Sequence, residues 1–325
     1  MYLKGKKVLF IAPKFYDYHE QIINELKVSG FSVKYYPEIC SDVFYRILIK
    51  TVPYLAYLLK KKYLLKILKD FEEDKYDIVF VIRGGMLDAS FLEKMKSKAH
   101  GTKFIMYQWD SINQNDYLPF VKYFHLVKTF DRRDSKKYDL EYLPLFFGDK
   151  YRNVRNTDVS KHYDLVFYGA FHSDRLQLIQ LIESQLKKSG YNFFYHLYIT
   201  KLALFRMLVT GKLKLKDKKY LKTYKVNANS MISKYAAAKA VLDIELNIQS
   251  GLTIRTFETI GAGLKLITTN QNIKKESFYN ANTVWVINRD ALSDSDKLKF
   301  FFETEEKIDY YEQYYISNWL REAMS

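Results

Sequence analysis

Short apolar runs alternate with longer amphipathic segments along the whole of this 325-residue chain, and no other sequence feature restricts its fold as much. An apolar run of five or six residues is the length of a buried strand. One such run per helix is the pattern of a parallel α/β sheet. In the first half the spacing predicts strands over Lys7–Ala12, Ser32–Tyr36, Asp77–Ile82, Lys103–Gln108, His125–Thr129 and Leu143–Phe147. Helices are expected over His19–Ser29, stopped by Gly30, and over Asp88–Ala99. The series resumes with strands over Asp164–Tyr168, Asn192–Tyr198, Ala240–Leu246, Lys265–Thr269 and Thr283–Ile287. Its helices are expected over Asp174–Gly190, Ser230–Lys239 and Thr253–Gly261, and residues from about Ser293 to Met324 read as helical. Between the two series, Gly148–His162 is polar and aperiodic, as a linker is. The expected organisation is a Rossmann-like domain over residues 1–150, a linker over 151–162, and a second Rossmann-like domain over 163–300. A C-terminal helix over 301–325 would pack back on the first domain.

Composition narrows the setting. The single cysteine, Cys40, excludes an intramolecular disulfide and a thiolate metal cluster. The first apolar run is too short for a signal-peptide core and ends at Pro13, so a cytoplasmic location is expected. The longest apolar helix candidate, Ile47–Leu68, is interrupted by Lys50, Pro53 and Lys60–Lys62 and does not span a bilayer. The net charge of +15 points to an anionic partner or surface. It is concentrated in two segments, Arg46–Lys69 and Lys201–Lys225, where Lys and Arg interleave with apolar residues. Such segments suit the inner face of an anionic membrane, or equally two solvated helices with apolar stripes packed inward. Nucleic acid is the weaker reading, because no helix-turn-helix, zinc-finger or RNP-like pattern accompanies the charge.

The stretch richest in chemistry is Gln249–Thr269: a glycine-containing loop, a short helix, then a buried strand. Such a loop offers backbone N–H groups and a helix N-terminus, opened here by Thr253, to a phosphate. Arg255 in the first turn can hold a pyrophosphate with its planar fork. Glu258, one turn on, can accept hydrogen bonds from ribose hydroxyls. An ordinary loop–helix–strand unit with a surface Arg–Glu pair has the same spacing.

The run Gly251-Leu-Thr-Ile-Arg-Thr-Phe-Glu-Thr-Ile-Gly-Ala-Gly263 resembles the donor segment of GT-B glycosyltransferases. It is most similar to the CgeB-like and lipopolysaccharide-biosynthesis branch, with its Arg-x-Phe-Glu-x-x-x-x-Gly pattern. That resemblance implies a GT-B fold, two Rossmann-like domains facing a cleft, with a nucleotide sugar on the second and the acceptor on the first. It implies that Glu258 binds the donor ribose. The second acid that many members carry falls on Ser250 here, so the paired-acid version is absent. Asp164–Arg175 resembles the domain-opening strand and turn of the same family. There Gly169 would allow close approach of the donor and Arg175 would reach a phosphate. A plain turn, with Asp174 capping the helix and Arg175 exposed, fits those residues equally.

Inverting transfer needs a base for the acceptor hydroxyl and electrostatic help for the departing diphosphate. Arg175 and Arg255 are the candidates for the second task. For the base, Asp110 follows a strand, where open α/β sheets bind ligands. His19 is its rival and Asp88 the third candidate, while Arg83-Gly84-Gly85 can line the acceptor site or form a simple turn. GT-B enzymes usually lack a bound metal, so no cofactor or metal ligand set is expected. The reading is a metal-independent glycosyltransferase extending a bacterial surface glycan such as lipopolysaccharide, capsule or O-antigen. A non-catalytic nucleotide- or glycan-binding assembly protein of the same fold is the alternative.

Overall fold

A computed structural model describes residues 5–39, 42–172, 174–246, 250–289 and 295–325. Cys40, Ser173 and Gln249, which fall within segments discussed above, lie outside them. The chain forms two compact units, Met1–Leu145 with Ile316–Ser325, and Phe146–Tyr315.

The first unit runs β1 (Lys7–Ala12), α1 (Tyr18–Val28), β2 (Ser32–Pro37), α2 (Val43–Thr51), α3 (Pro53–Asp74), β3 (Ile78–Ile82), α4 (Ala89–Lys98), β4 (Lys103–Gln108), β5 (Leu126–Thr129), α5 (Arg132–Tyr138) and β6 (Glu141–Tyr142). Its strands lie in the order β2-β1-β3-β4-β5-β6, each pairing parallel with its neighbours. Every residue of Val8–Ala12 and Ile78–Ile82 is buried, as both faces of a parallel sheet must be when helices cover them. Leu9, Val79 and Phe104 pack there against Ile67 and Phe71 of α3 and Met95 of α4. The chain leaves β1 on one side and returns to β3 on the other, so the topological switch point lies between those two strands.

Proline accounts for two breaks in this unit. The Ile47–Leu68 stretch, expected to be interrupted at Pro53, is divided there between two helices, because Val52, preceding the proline, leaves the helical region (φ −139°, ψ 72°). Pro53 then opens α3 at a position where its missing N–H costs nothing. Leu143–Phe147 is not a strand: pairing stops at Tyr142, and Pro144 cannot donate to a ladder.

The second unit runs α6 (Asp149–Arg155), β7 (Tyr163–Ala170), α7 (Arg175–Lys188), β8 (Phe193–Tyr198), α8 (Lys201–Val209), β9 (Leu221–Lys222), α9 (Ala228–Ala236), β10 (Ala238–Asp243), α10 (Ile254–Gly261), β11 (Lys265–Thr268), β12 (Val284–Val286) and α11 (Ser295–Glu303). The strand order is β12-β11-β10-β7-β8-β9, again all parallel. In chain order this is the 3-2-1-4-5-6 arrangement of dinucleotide-binding sheets, with its switch point between β7 and β10. Leu165, Phe167, Leu242 and Ile267 form the sheet side of the core, and Ile179, Ile182 and Leu186 of α7 close over it.

Residues 157–162 of the stretch read as a linker are irregular, while its first part forms α6. Its Tyr151 and Val154 are buried, and Arg155 donates to the carbonyls of Ile260, Gly261, Ile308 and Asp309. Four carbonyls on one guanidinium make that helix part of the second unit. The C-terminal stretch is not one helix either. After α11, residues 304–311 are irregular, and α12 (Ile316–Met324) belongs to the first unit. There Trp319 is buried edge-on against Tyr107 (centroids 4.9 Å apart) and donates to Pro144 O at 3.0 Å. Lys103 and Lys128 meet the carbonyls of Met324 and Glu322 at the helix end, where a cation is favoured. Among the described residues no helix is long and apolar enough to cross a membrane.

Candidate functional site

In the second unit the C-terminal ends of β7 and β10, flanking the switch point, gather most of the residues singled out from the sequence. Asp243 ends β10 and is almost wholly buried. Its Oδ2 accepts from Thr253 Oγ1 at 2.6 Å and Thr256 Oγ1 at 2.9 Å, tying the first turn of α10 to the strand. Its Oδ1 lies 3.7 Å from Arg255 Nη1. Burial works against the Arg255 charge, but Tyr235, Asp243 and Glu258 outweigh it and hold its pKa above the usual arginine value. Asp243 Oδ1, Arg255 Nε and Tyr235 Oη are buried here without a well-formed hydrogen bond among the described residues, although the Arg255 and Tyr235 side chains interact. Unsatisfied buried groups are rare in native proteins, and several converging at a helix N-terminus are what a site awaiting a polar ligand would leave.

Glu258 lies in the same helix with only 3 % of its surface exposed, its charge coupled to Arg255 and Tyr235. Thr253 is the residue at the N-cap of α10, yet its hydroxyl bonds Asp243 rather than the helix.

Arg175 is buried, not exposed, and faces the protein. Its Nε and Nη2 donate to Ile244 O and its Nη1 to Ala170 O at 3.0 Å. It thus ties together the chain ends leaving β7 and β10. Burial, followed by the repulsion of Arg255, lowers its pKa to about 10. Asp174 does not cap α7 with its side chain; both its oxygens accept from Arg289 Nη1 at 2.7 Å. Arg289 Nη2 continues to Glu245 Oε1 at 2.8 Å, and Thr269 Oγ1 donates to Glu245 Oε2. Gly169 is required by the protein itself: a Cβ there would lie 2.6 Å from the Phe167 ring and 3.2 Å from Arg175 Nη1.

In the first unit, Arg83 follows β3 at the switch point with a left-handed backbone (φ 70°), and Gly84 follows in the same region (φ 73°). Gln108 and Asn115 donate to Arg83 O at 2.8 and 2.9 Å, which holds this strained residue in place. Its side chain donates to Glu38 Oε2 at 2.9 Å and to Asp110 Oδ2 at 2.8 Å. Glu38 Oε1 accepts from Gly85 N at 2.8 Å. Asp110 keeps 32 % of its side chain exposed, and burial raises its pKa against the opposing pull of Arg83. His19 is buried, stacks obliquely on Tyr35, and has its pKa lowered by burial. Asp88 caps α4 by accepting from Phe91 N.

Burial raises the Glu38 pKa from 4.5 to about 7 despite Arg83. The unfolded chain releases that proton near 4.5, while the fold keeps it until about 7. Stability is therefore lost as pH rises through that window, by about 3 kcal/mol. Urea titrations at pH 5 and pH 8 should show this loss in the native protein and a flatter dependence in Glu38→Gln. Equal slopes would exclude Glu38 as the source.

Sequence reasoning missed Asp243, Glu245, Arg289, Tyr235 and Glu38. Four of them follow or end a strand, and the rule that picked out Asp110 also reaches these positions. Tyr235 carried no such signal: an aromatic late in an amphipathic helix reads as core.

No protein-family model matches the chain, and no curated protein does. Solved structures do. It is similar to the apo form of the lipopolysaccharide outer core galactosyltransferase WaaB, at 13% identity and TM-score 0.57 over 98% of this chain and 99% of that one. A UDP-forming α,α-trehalose-phosphate synthase from Burkholderia vietnamiensis matches at 10% identity and TM-score 0.56, covering 98% and 96%. The UDP-GlcNAc 2-epimerase of Methanocaldococcus jannaschii matches at 12% identity and TM-score 0.52, covering 98% of each chain. The fold is GT-B. In GT-B terms the first unit is the N-terminal Rossmann-like domain and the second the C-terminal one, and both switch points lie at C-terminal strand edges.

Proposed function

We propose that this protein is a glycosyltransferase that takes a nucleotide sugar on its second unit and passes the sugar to an acceptor held by the first. The observation that carries this reading is the cation Arg255 at the N-terminus of α10, with its own Nε and Tyr235 Oη left without a well-formed hydrogen bond among the described residues. A diphosphate offers acceptors to those two donors and to the N–H groups that open the helix. Arg255 would neutralise charge on the departing diphosphate, and Glu258 would take the ribose hydroxyls. Arg175 would serve by fixing the two loops, since its bonds run to Ile244 and Ala170. Gly169 and Thr253 complete the donor wall through Phe167 and Asp243. Asp110 is our choice of base over His19, because it is the more exposed of the two and its raised pKa brings a carboxylate nearer to neutral pH. The likeness to a lipopolysaccharide galactosyltransferase supports a bacterial surface glycan as acceptor.

Thermal unfolding with a panel of UDP-, GDP-, CMP- and TDP-sugars tests the donor site. A ligand that binds only the native state must raise Tm as its concentration exceeds Kd. One nucleotide class is expected to raise Tm, and Glu258→Ala to abolish the rise. No shift with any class at millimolar ligand would reject the reading. Hydrolysis or epimerisation of the bound sugar with no transfer to any glycan would keep the donor site and reject the transferase.

A further inference from the structure

Between Asp42 and Asp70 the chain has no acid and seven basic residues, Arg46, Lys50, Lys60, Lys61, Lys62, Lys66 and Lys69. Only Tyr45, Leu48 and Ala56 of residues 42–58 are buried, in a small cluster with Ile39 and Leu59. Successive helical residues are about 100° apart, so Tyr45 and Leu48 face inward, Val43 and Ile47 lie on the opposite side between Lys50 and Phe44, and Arg46 lies beyond Lys50. Val43, Phe44 and Ile47 are 69%, 67% and 56% exposed. The first turns of α3 continue the pattern, with Tyr54, Leu55 and Leu58 exposed ahead of Lys60–Lys62. The apolar residues of this segment are therefore not a core stripe with a solvated basic back. Exposed apolar residues recur along the whole segment, Ile49, Val52 and Tyr57 included, where a soluble surface ordinarily scatters them singly.

We propose that the α2–α3 hairpin seats on the surface of an anionic lipid bilayer. Val43, Phe44 and Ile47 enter the boundary between headgroups and acyl chains, Tyr54 lies at headgroup level, and Arg46, Lys50 and Lys61 meet lipid phosphates. Apolar exposure beside the charge chooses this occupant. A surface that reads a nucleic-acid backbone needs only outward cations, whereas here Val43, Phe44 and Ile47 are exposed among Arg46 and Lys50, where phosphates alone give them no partner. A basic band with no acid also matches a uniformly anionic plane. The second unit carries the same chemistry on α8, where Leu202, Phe205 and Val209 are exposed at i, i+3 and i+7 beside Lys201 and Arg206.

The test is co-sedimentation of the full chain, at physiological salt, with vesicles containing phosphatidylglycerol and with pure phosphatidylcholine vesicles. Native protein is expected to bind the first and not the second. Phe44→Ser/Ile47→Ser should weaken binding at least about tenfold, and Arg46→Gln/Lys50→Gln should weaken it and reduce its salt dependence. Both pairs are exposed, so an unchanged Tm is expected and separates lost binding from lost folding. No binding to phosphatidylglycerol vesicles, or equal binding by Phe44→Ser/Ile47→Ser, would overturn the proposal. So would a native dimer that this variant dissolves, or RNA binding lost only in Arg46→Gln/Lys50→Gln. The nucleotide-sugar shift is read in parallel, so failure here leaves the donor-site reading standing.

Discussion

Arg255→Ala is expected to lower kcat with the cognate nucleotide sugar by about 10²- to 10³-fold, or roughly 3–4 kcal/mol of transition-state stabilisation. The size follows from where the cation sits. Its side chain is 19% exposed and 3.7 Å from the buried Asp243, so an anion reaching it is only weakly screened. Its Nε makes no hydrogen bond among the described residues, while Tyr235, Asp243 and Glu258 hold its charge. Arg255→Lys keeps the charge but not the planar fork and should recover only part of the loss. Removing Arg255 also strips a countercharge from Asp243, so kcat is to be compared at a temperature where both proteins are folded. A change of less than about threefold in kcat would exclude Arg255 from stabilising the leaving group.

Gly261→Ala is expected to destabilise the second unit by about 2–3 kcal/mol, although alanine is the better helix former. Gly261 ends α10 with ordinary helical geometry, so backbone propensity alone favours alanine by about 1 kcal/mol. Space decides otherwise. A Cβ there would lie 2.4 Å from two atoms of the Phe147 ring, and Phe147 is itself held between Tyr310 and Tyr315. The ring cannot swing aside without opening that packing. Thermal melts should show Tm falling by roughly 4–12 °C. Phe147→Ala removes the obstacle, so the double variant should cost clearly less than the two single changes together. Additive costs would mean that the clash is relieved elsewhere.

Gly261 shows how legibility divides. In sequence Gly261 and Gly263 look alike, two glycines where α10 ends and the chain turns into β11. Gly263 does adopt the left-handed backbone that such a turn uses (φ 67°), but Gly261 is glycine because of a ring more than a hundred residues earlier in the chain. Gly169 repeats the lesson: the role expected for it was closeness to a donor, and the atoms it makes room for are Phe167 and Arg175. Arg175 was read as a phosphate ligand or as an exposed residue, and it is buried. Its partners are the carbonyls of Ala170 and Ile244, which no local pattern could have put beside it.

The strands were legible because burial on both faces leaves a run of consecutive apolar residues, and β1 and β4 have the bounds expected for them. Caps were legible where a short polar side chain precedes a helix, as Asp88 does. The two-part α/β organisation followed from strand rhythm, and the GT-B fold from the resemblance carried by Gly251–Gly263, both of which lie within a few residues of chain. Strand order, the two switch points, the Glu38–Arg83–Asp110 chain and the apolar outward face of α2 did not. Each depends on which residues distant in sequence are brought together, or on which side of a helix finds a partner. A linear pattern records only that a helix has two faces; the tertiary structure decided which of them the protein covers.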